Sequence, residues 1–293
     1  MFVSIIIPTY KDWGRLALCI DALSKQSFPK NMFEVIIINN EPNDPVPQHY
    51  SLPEGFQIIV EAKPGSYAAR NAGLKMAKGS VIGFTDSDCI PDKDWIQNAV
   101  QFFSNNKPCS RIAGNVVVFP KSAKATVGEK YDMLFAFGQK KYVKNSGTCV
   151  TANLFAYKFV FERIGFFNDN QMSYGDLDSG VKAHEAGYRI DYVDNVIVNH
   201  PARDLKEIIK KAKRLAGGKE KSGKRNYNKV TVLYKFLREA QPRFQKNYKL
   251  IKGRGKTLTS VEFYNILFLK IFIDYVRAYE TMRLRYGKKP NRE

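Results

Sequence analysis

Four short apolar runs, separated by turn-rich or helix-period segments, fill the first ninety residues, and no other feature of the chain constrains its fold as tightly. Phe2 to Pro8 is rich in β-branched residues without clean alternation, the mark of a strand covered on both faces. A helix-period stretch follows through Leu16, Ile20 and Leu23. Val35 to Ile38 repeats the buried-strand pattern and stops at Asn39-Asn40, after which Pro42, Pro45, Pro47 and Pro53 enforce irregular backbone. Ile58 to Val60 is the third strand and Val81 to Phe84 the fourth. Between them, Pro64-Gly65-Ser66 is turn chemistry with Ser66 as N-cap, and Ala68 to Lys78 has helical composition ended by Gly79.

Strands alternating with helices at this spacing predict an α/β fold, a mostly parallel central sheet flanked by helices, with ligands bound beyond the carboxyl ends of the strands. Further along, the pattern predicts a helix opened by Asp92 and Trp95, a strand at Ile112 to Phe119 and mixed helical segments to about Ile164. A helix from Asp176 to Ala186 and a strand from Val193 to Val198 follow.

Charge divides the chain. Residues 201–293 hold 26 Lys and Arg against 8 Asp and Glu, or +18, which leaves 21 against 20, or +1, for residues 1–200. A basic module of this kind meets phosphate, on a lipid surface or a nucleic acid, so the chemistry is sought before residue 201. Lys206 to Arg225 is dense in Lys and Arg around Leu205, Ile208, Ile209 and Leu215 and reads as an amphipathic helix with a cationic side, while Gly217 to Asn228 reads as a mobile loop. Phe263 to Val276 is apolar but too short to span a bilayer, which needs about 20 apolar residues. Peripheral attachment to an anionic membrane surface through residues 201–293 is therefore expected, and no groove-reading or base-stacking motif makes nucleic acid an expected partner. Cys19, Cys89, Cys109 and Cys149 form no C-x-x-C pair, and the first residues read as a strand instead of a leader. A cytoplasmic protein at the inner face of the cell membrane is the expectation.

The sharpest chemical signal is Thr85-Asp86-Ser87-Asp88, two carboxylates one residue apart just after an apolar strand. Adjacent anions repel unless a cation joins them, and Mg²⁺ or Mn²⁺ with oxygen ligands would in turn bind a diphosphate. A solvated turn before a Pro91-Asp92 cap explains the same residues. Arg70, near the start of the second helix, either clamps a phosphate or pairs with a neighbouring acid. Asp176 and Asp178 open a helix and complement its dipole, and Asp176 is also the candidate base for an acceptor hydroxyl. His200 closes the last strand as a metal ligand or as a satisfied histidine.

In order along the chain, Ile5-Ile6-Ile7-Pro8-Thr9-Tyr10, Gly65 to Gly73 with Ala69-Arg70-Asn71, and Gly79 to Asp92 with Phe84-Thr85-Asp86-Ser87-Asp88 resemble family 2 glycosyltransferases. So do Thr148 to Phe155 with Asn153, Phe161 to Phe167 with Ile164-Gly165-Phe166, and Asp176 to Ile190 with Ala186-Gly187-Tyr188-Arg189. The similarity runs from Phe2 to about Arg203. It implies a GT-A fold with a Rossmann-like nucleotide-binding half at 1–91, an acceptor-binding half at 92–200, and a basic helical extension at 201–293.

The resemblance further implies inverting transfer of a sugar from a nucleotide-sugar, UDP-linked by expectation, to a hydroxyl of a glycan or lipid-linked saccharide, in cell-envelope or capsule polysaccharide synthesis. Pro8, Thr9 and Tyr10 would line the base, Asp86 would face the ribose, and Asn39, Arg70, Ser87 and Asn153 would complete the donor site. Asp88 and His200 would hold Mn²⁺ or Mg²⁺, and Asp176 would be the general base. Two positions depart from the family. Asn39-Asn40 stands where an aspartate usually reads a uracil, and Gly175 replaces a glutamate usually found before the catalytic aspartate. The rival readings are a sugar-phosphate nucleotidyltransferase, against which the absence of a Gly-rich basic loop after the first strand counts, and a basic membrane- or nucleic-acid-binding protein with a degenerate transferase domain.

Overall fold

A computed structural model describes residues 1–48, 50–221 and 228–288. In chain order the elements are β1 (Val3–Thr9), α1 (Trp13–Ser24), β2 (Phe33–Asn39), β3 (Phe56–Val60), α2 (Ser66–Met76), β4 (Val81–Thr85), β5 (Ile90–Pro91), α3 (Trp95–Asn105) and β6 (Arg111–Phe119). They continue as α4 (Val127–Phe135), α5 (Gln139–Ser146), β7 (Asn153–Tyr157), α6 (Lys158–Ile164), α7 (Gly175–Glu185) and β8 (Ile190–Pro201). The last four are helices: α8 (Leu205–Lys221), α9 (Lys229–Ala240), α10 (Phe244–Arg254) and α11 (Ser260–Arg285). Two compact units result, one of residues 1–117, 137–171 and 175–200, the other of residues 118–136, 172–174 and 201–293.

The first unit is built on an eight-stranded sheet in the order β3-β2-β1-β4-β7-β6-β8-β5. Near-continuous apolar runs suit β1 and β2 because both faces are covered. Val3, Ile5 and Ile7, with Val35 and Ile37, enter one core with Leu16, Leu23 and Trp95, while Ile6, Ile36 and Ile38 enter the other with Leu74 and Phe84. Each such side chain contributes on the order of 1.5–3 kcal/mol when fully buried. Strands β3, β2, β1 and β4 are parallel, whereas β7 pairs antiparallel with both β4 and β6, and β5 antiparallel with β8. The expected α/β sheet flanked by helices is thus present, with its parallel part confined to the first four strands.

Local boundaries differ from the sequence reading in instructive ways. Helix α2 begins at Ser66 itself, with Gly65 at the cap in a left-handed backbone (φ 125°) and no side-chain cap bond, so Ser66 is not the N-cap. It ends at Met76, before Gly79, which serves instead where the chain passes against Ser4: a Cβ there would lie 2.5 Å from the Ser4 backbone nitrogen. Strand β7, inside the stretch expected to be helical, is five residues long and has no period of its own to announce it. Gly217 and Gly218 lie in α8 instead of a loop, and residues 222–227 of that expected loop are outside the described residues.

The second unit is helical. Thr126 with Glu129 and Thr259 with Glu262 form capping boxes that start α4 and α11. Tyr131, Ile208, Ala212, Ile251, Ile266, Leu267 and Ile273 form its core. Residues 118–136, inside the expected acceptor half, belong by their contacts to this unit. Among the described residues no helix is long and apolar enough to cross a membrane, and the four cysteines are free and buried.

Candidate active site

Most candidate residues of the first unit lie at or just beyond strand ends, Pro8 to Tyr10 at β1, Asn39 at β2, Asp86 to Asp88 after β4 and His200 in β8, while Arg70 and Asp176 lie on α2 and α7. Beyond β4, Asp86 and Asp88 turn to different partners. Asp86 Oδ1 accepts from Arg70 Nη2 at 2.5 Å, a pair in which the arginine side chain is 5% and the carboxylate 34% exposed. Arg70 also lies over the Tyr67 ring, 5.7 Å from its centroid. Asp88 Oδ2 lies 3.1 Å from His200 Nε2 at the end of β8 and 3.8 Å from Arg15 Nη1 on α1. Ser87 Oγ donates to Asp12 Oδ2 at 3.1 Å.

The field here is negative. Burial pushes the Cys19 thiol well above its ordinary range, and Asp88 and Asp86 push it further. A cation would relieve that field, and the donor set permits one. Asp88 and His200 supply a carboxylate oxygen and an imidazole nitrogen at hydrogen-bond separation, and no group of three His, Cys, Asp or Glu able to hold a metal occurs among the described residues. The Asp88 carboxylate suits a cation such as Mg²⁺ or Mn²⁺, which keeps several waters and completes its shell with substrate phosphates, and the His200 imidazole offers one further donor.

At the end of β1, Pro8 and Thr9 are buried and Tyr10 is exposed. The Thr9 hydroxyl is buried without a hydrogen-bond partner in the protein, a costly arrangement that a bound polar ligand would relieve.

Asp176, in the first turn of α7, accepts from the Tyr67 hydroxyl at 3.1 Å and from Leu177 N. Burial and then the Asp176 charge push the Tyr67 phenol upward, so it remains a proton donor to that carboxylate. Gly175 makes this possible. A Cβ at that position would fall 2.8–2.9 Å from three carbons of the Tyr67 ring, so the ring occupies the space a side chain would need. Asp178 instead pairs with Lys182 at 3.2 Å.

Two expected donor-binding residues, Asn153 and Asn39, are buried and engaged within the protein. Asn153 is fully buried: its Nδ2 donates to the carbonyls of Asn115 and Val196, and its Oδ1 accepts from Trp95 Nε1 at 2.9 Å. It ties β6, β8 and α3 to β7. Asn39 is 2% exposed and turns its amide inward, Nδ2 to Asp44 O and Oδ1 to Glu41 N, holding the loop after β2. Neighbouring Asn40 bonds Glu61 O, Lys63 O and Gly65 N, fastening the loop that leads into α2.

Tyr67, Arg15 and Asp12 carry no sequence signal of their own. Tyr67 and Asp176 are separated by 109 residues, and only the sheet brings them together.

Residues 4–165 match the profile of the family described as "Glycosyl transferase family 2". The chain belongs to glycosyltransferase family 2. This family 2 glycosyltransferase is 32% identical over 223 residues to glycosyltransferase AglE of Haloferax volcanii, covering 74% of this chain and 72% of that protein. It is also 29% identical over 114 residues to the poly(ribitol-phosphate) β-N-acetylglucosaminyltransferase TarS of Staphylococcus aureus, a match covering 36% of this chain and 19% of TarS. The fold is similar to that of S. aureus TarS 1–349 solved with UDP, at TM-score 0.53 and 14% identity over 98% of this chain and 92% of that one. It is likewise similar to the mannosyltransferase PcManGT of Pyrobaculum calidifontis, solved with GDP-Man and Mn²⁺, at TM-score 0.55 and 15% identity over 99% of this chain and 76% of that one. Membership makes the protein a glycosyltransferase enzyme of GT-A fold with a helical C-terminal part.

Proposed function

We propose that this transferase moves a sugar, with inversion, from a nucleoside-diphosphate sugar to a hydroxyl of a glycan or lipid-linked saccharide. The observation that carries the reading is the convergence of Asp88 and His200 at 3.1 Å beyond the strand ends. A divalent cation held by this pair, Mn²⁺ or Mg²⁺, would supply charge neutralisation of the diphosphate. Pro8, Thr9 and Tyr10 would border the base, with the orphaned Thr9 hydroxyl as a contact, and Asp86, fixed by Arg70, would face the ribose with Ser87 beside it. The Asp176 carboxylate takes the acceptor hydroxyl proton as that oxygen bonds to the anomeric carbon. The bond from that carbon to the diphosphate breaks, and the nucleoside diphosphate leaves with the electron pair. No sugar-enzyme bond is needed.

A UDP or GDP donor fits the ligands of the solved relatives, and the inward-turned Asn39 leaves base choice to other groups. Relatives named as poly(ribitol-phosphate) and O-antigen chain transferases support a role in cell-envelope polysaccharide synthesis. The deciding measurement is melting temperature against a panel of nucleotides and nucleotide-sugars with and without Mn²⁺. A Mn²⁺-dependent rise with one nucleotide class is expected in the wild type and not in Asp88→Asn. A rise that survives in Asp88→Asn would defeat the metal assignment.

Attachment to the inner face of the cell membrane belongs to the same reading. On α11, Val261, Tyr264, Phe268, Phe272, Tyr275 and Tyr279 are each 46–69% exposed and recur at three- and four-residue steps, forming one narrow apolar stripe. A net +18 over residues 201–293 favours an anionic bilayer over a second, equally basic copy. Salt-sensitive cosedimentation with phosphatidylglycerol vesicles, weakened in Phe268→Ser/Phe272→Ser, is expected. Loss of a dimer in that variant with vesicle binding unchanged would assign the stripe to self-association.

A further inference from the structure

We propose that the helical unit contains a binding site for a phosphoryl group, a monophosphate or diphosphate, in the cavity where α10 begins beside α11. The cavity measures about 300 Å³, roughly ten waters at about 30 Å³ each, enough for such a group with some of its hydration. Four cations line it, Arg243, Lys246, Lys270 and Arg277, together with two carboxylates, Glu239 and Asp274.

Both carboxylates are engaged. Glu239 takes two bonds from Arg285, at 3.0 and 3.1 Å, and Asp274 is ion-paired with Lys270 and accepts from Asn247. Among the described residues Arg243, Lys246 and Arg277 have no carboxylate in salt-bridge range. The lining thus carries two more cations than anions.

Placement sharpens the imbalance. Arg243 is the N-cap of α10, Lys246 lies in its first turn, and that turn has no acidic residue. The positive end of a helix favours anions and disfavours cations, and Arg243 and Lys246, both exposed, add further positive charge there. Lys270 registers this: burial lowers its pKa, Arg277 and Arg243 lower it further, and Asp274 opposes them only in part. A carboxylate ligand would bring one charge and a phosphate dianion two, matching the excess, with guanidinium forks suited to its oxygens. An extended nucleic acid fits a basic stripe better than a compact cavity of this volume. A lipid phosphate headgroup and a soluble phosphate offer the same chemistry, and experiment separates them.

Calorimetric titration of the full chain in EDTA, without donor, isolates this site from the proposed metal site. Inorganic pyrophosphate, inorganic phosphate and farnesyl phosphate below its micelle concentration are the probes. Saturable pyrophosphate binding is expected in the wild type and in the charge-matched control Lys252→Gln/Lys256→Gln, and at least tenfold weaker binding in Arg243→Gln/Arg277→Gln. Should that double variant fail to fold, exposed Lys246→Gln is expected to weaken binding at least threefold. Farnesyl phosphate binding tighter than inorganic phosphate, and lost in the cavity variant, assigns the site to a lipid headgroup; equal affinity assigns it to a soluble ligand. No saturable binding, or equal weakening in cavity and control variants, overturns the proposal. The Mn²⁺-dependent nucleotide shift, measured on the same variants, reports separately on the transferase reading.

Discussion

The Tyr67 hydroxyl donates to Asp176 Oδ1 at 3.1 Å, joining the helix after the third strand to the helix that carries the candidate base. The ring that delivers this hydroxyl fills the space beside Gly175, the position where the family resemblance leads to the expectation of a glutamate. A phenol arriving from another helix occupies that space.

Tyr67 is then a positioning residue for the proposed base. Tyr67→Phe removes the bond that fixes the Asp176 carboxylate and is expected to lower kcat while leaving KM for the nucleotide-sugar nearly unchanged. Bonds to charged groups contribute about 1.5–3 kcal/mol, so kcat should fall about tenfold or more. A purely structural role would lower stability and leave kcat of the folded enzyme in place.

Gly175→Ala should reproduce that effect by a different route. The added methyl meets ring carbons at 2.8–2.9 Å and has to push Tyr67 away. A smaller kcat with a similarly unchanged KM is expected, and restored kinetics in Gly175→Ala/Tyr67→Ala would contradict it.

Asn153→Leu tests a structural against a donor-binding role for that residue. Trp95 Nε1 and the carbonyls of Asn115 and Val196 would lose their partner in the interior. A loss of about 3 kcal/mol or more is expected from unsatisfied buried groups, read from denaturant melts. The nucleotide affinity of the folded fraction should be unchanged. A large affinity loss without destabilisation would return Asn153 to the donor site.

Lys211 makes the helical unit sensitive to pH. Its amine is surrounded by protein although the residue keeps some exposure, and burial, Arg203, Arg214 and Arg277 outweigh Asp132 to lower its pKa from 10.5 to about 7. Between those values the unfolded chain holds a proton that the folded one has released, so stability rises with pH from about 7 to about 10.5, and the penalty is complete below about 7. Lys211→Met should therefore melt several degrees above the wild type at pH 6.5, at roughly 2–4 °C per kcal/mol, with the gap closing toward pH 9.5. A difference independent of pH would rule this out.

Some of this was legible in the chain. Val3 to Thr9 and Phe33 to Asn39 announce doubly covered strands because their apolar runs leave neither face polar, and Asp86 and Asp88 stand out because a strand end needs no second carboxylate. The lopsided charge marks residue 201 as a turning point without any contact being known. Family motifs, read in order, gave the transferase fold.

What the sequence could not decide were partnerships over distance. Amide edges look alike in a string of letters, yet Asn153 is fully engaged by α3, β6 and β8 and Asn39 by its own loop. Strand β7 is too short to carry a period, and its antiparallel place between β4 and β6 follows from pairing with residues far away. Tyr67 and Asp176 meet across 109 residues. Local pattern fixes which face of an element is apolar, because that depends on spacing within the element; which side chain faces a given carboxylate depends on how separate elements pack, and only the tertiary structure sets that.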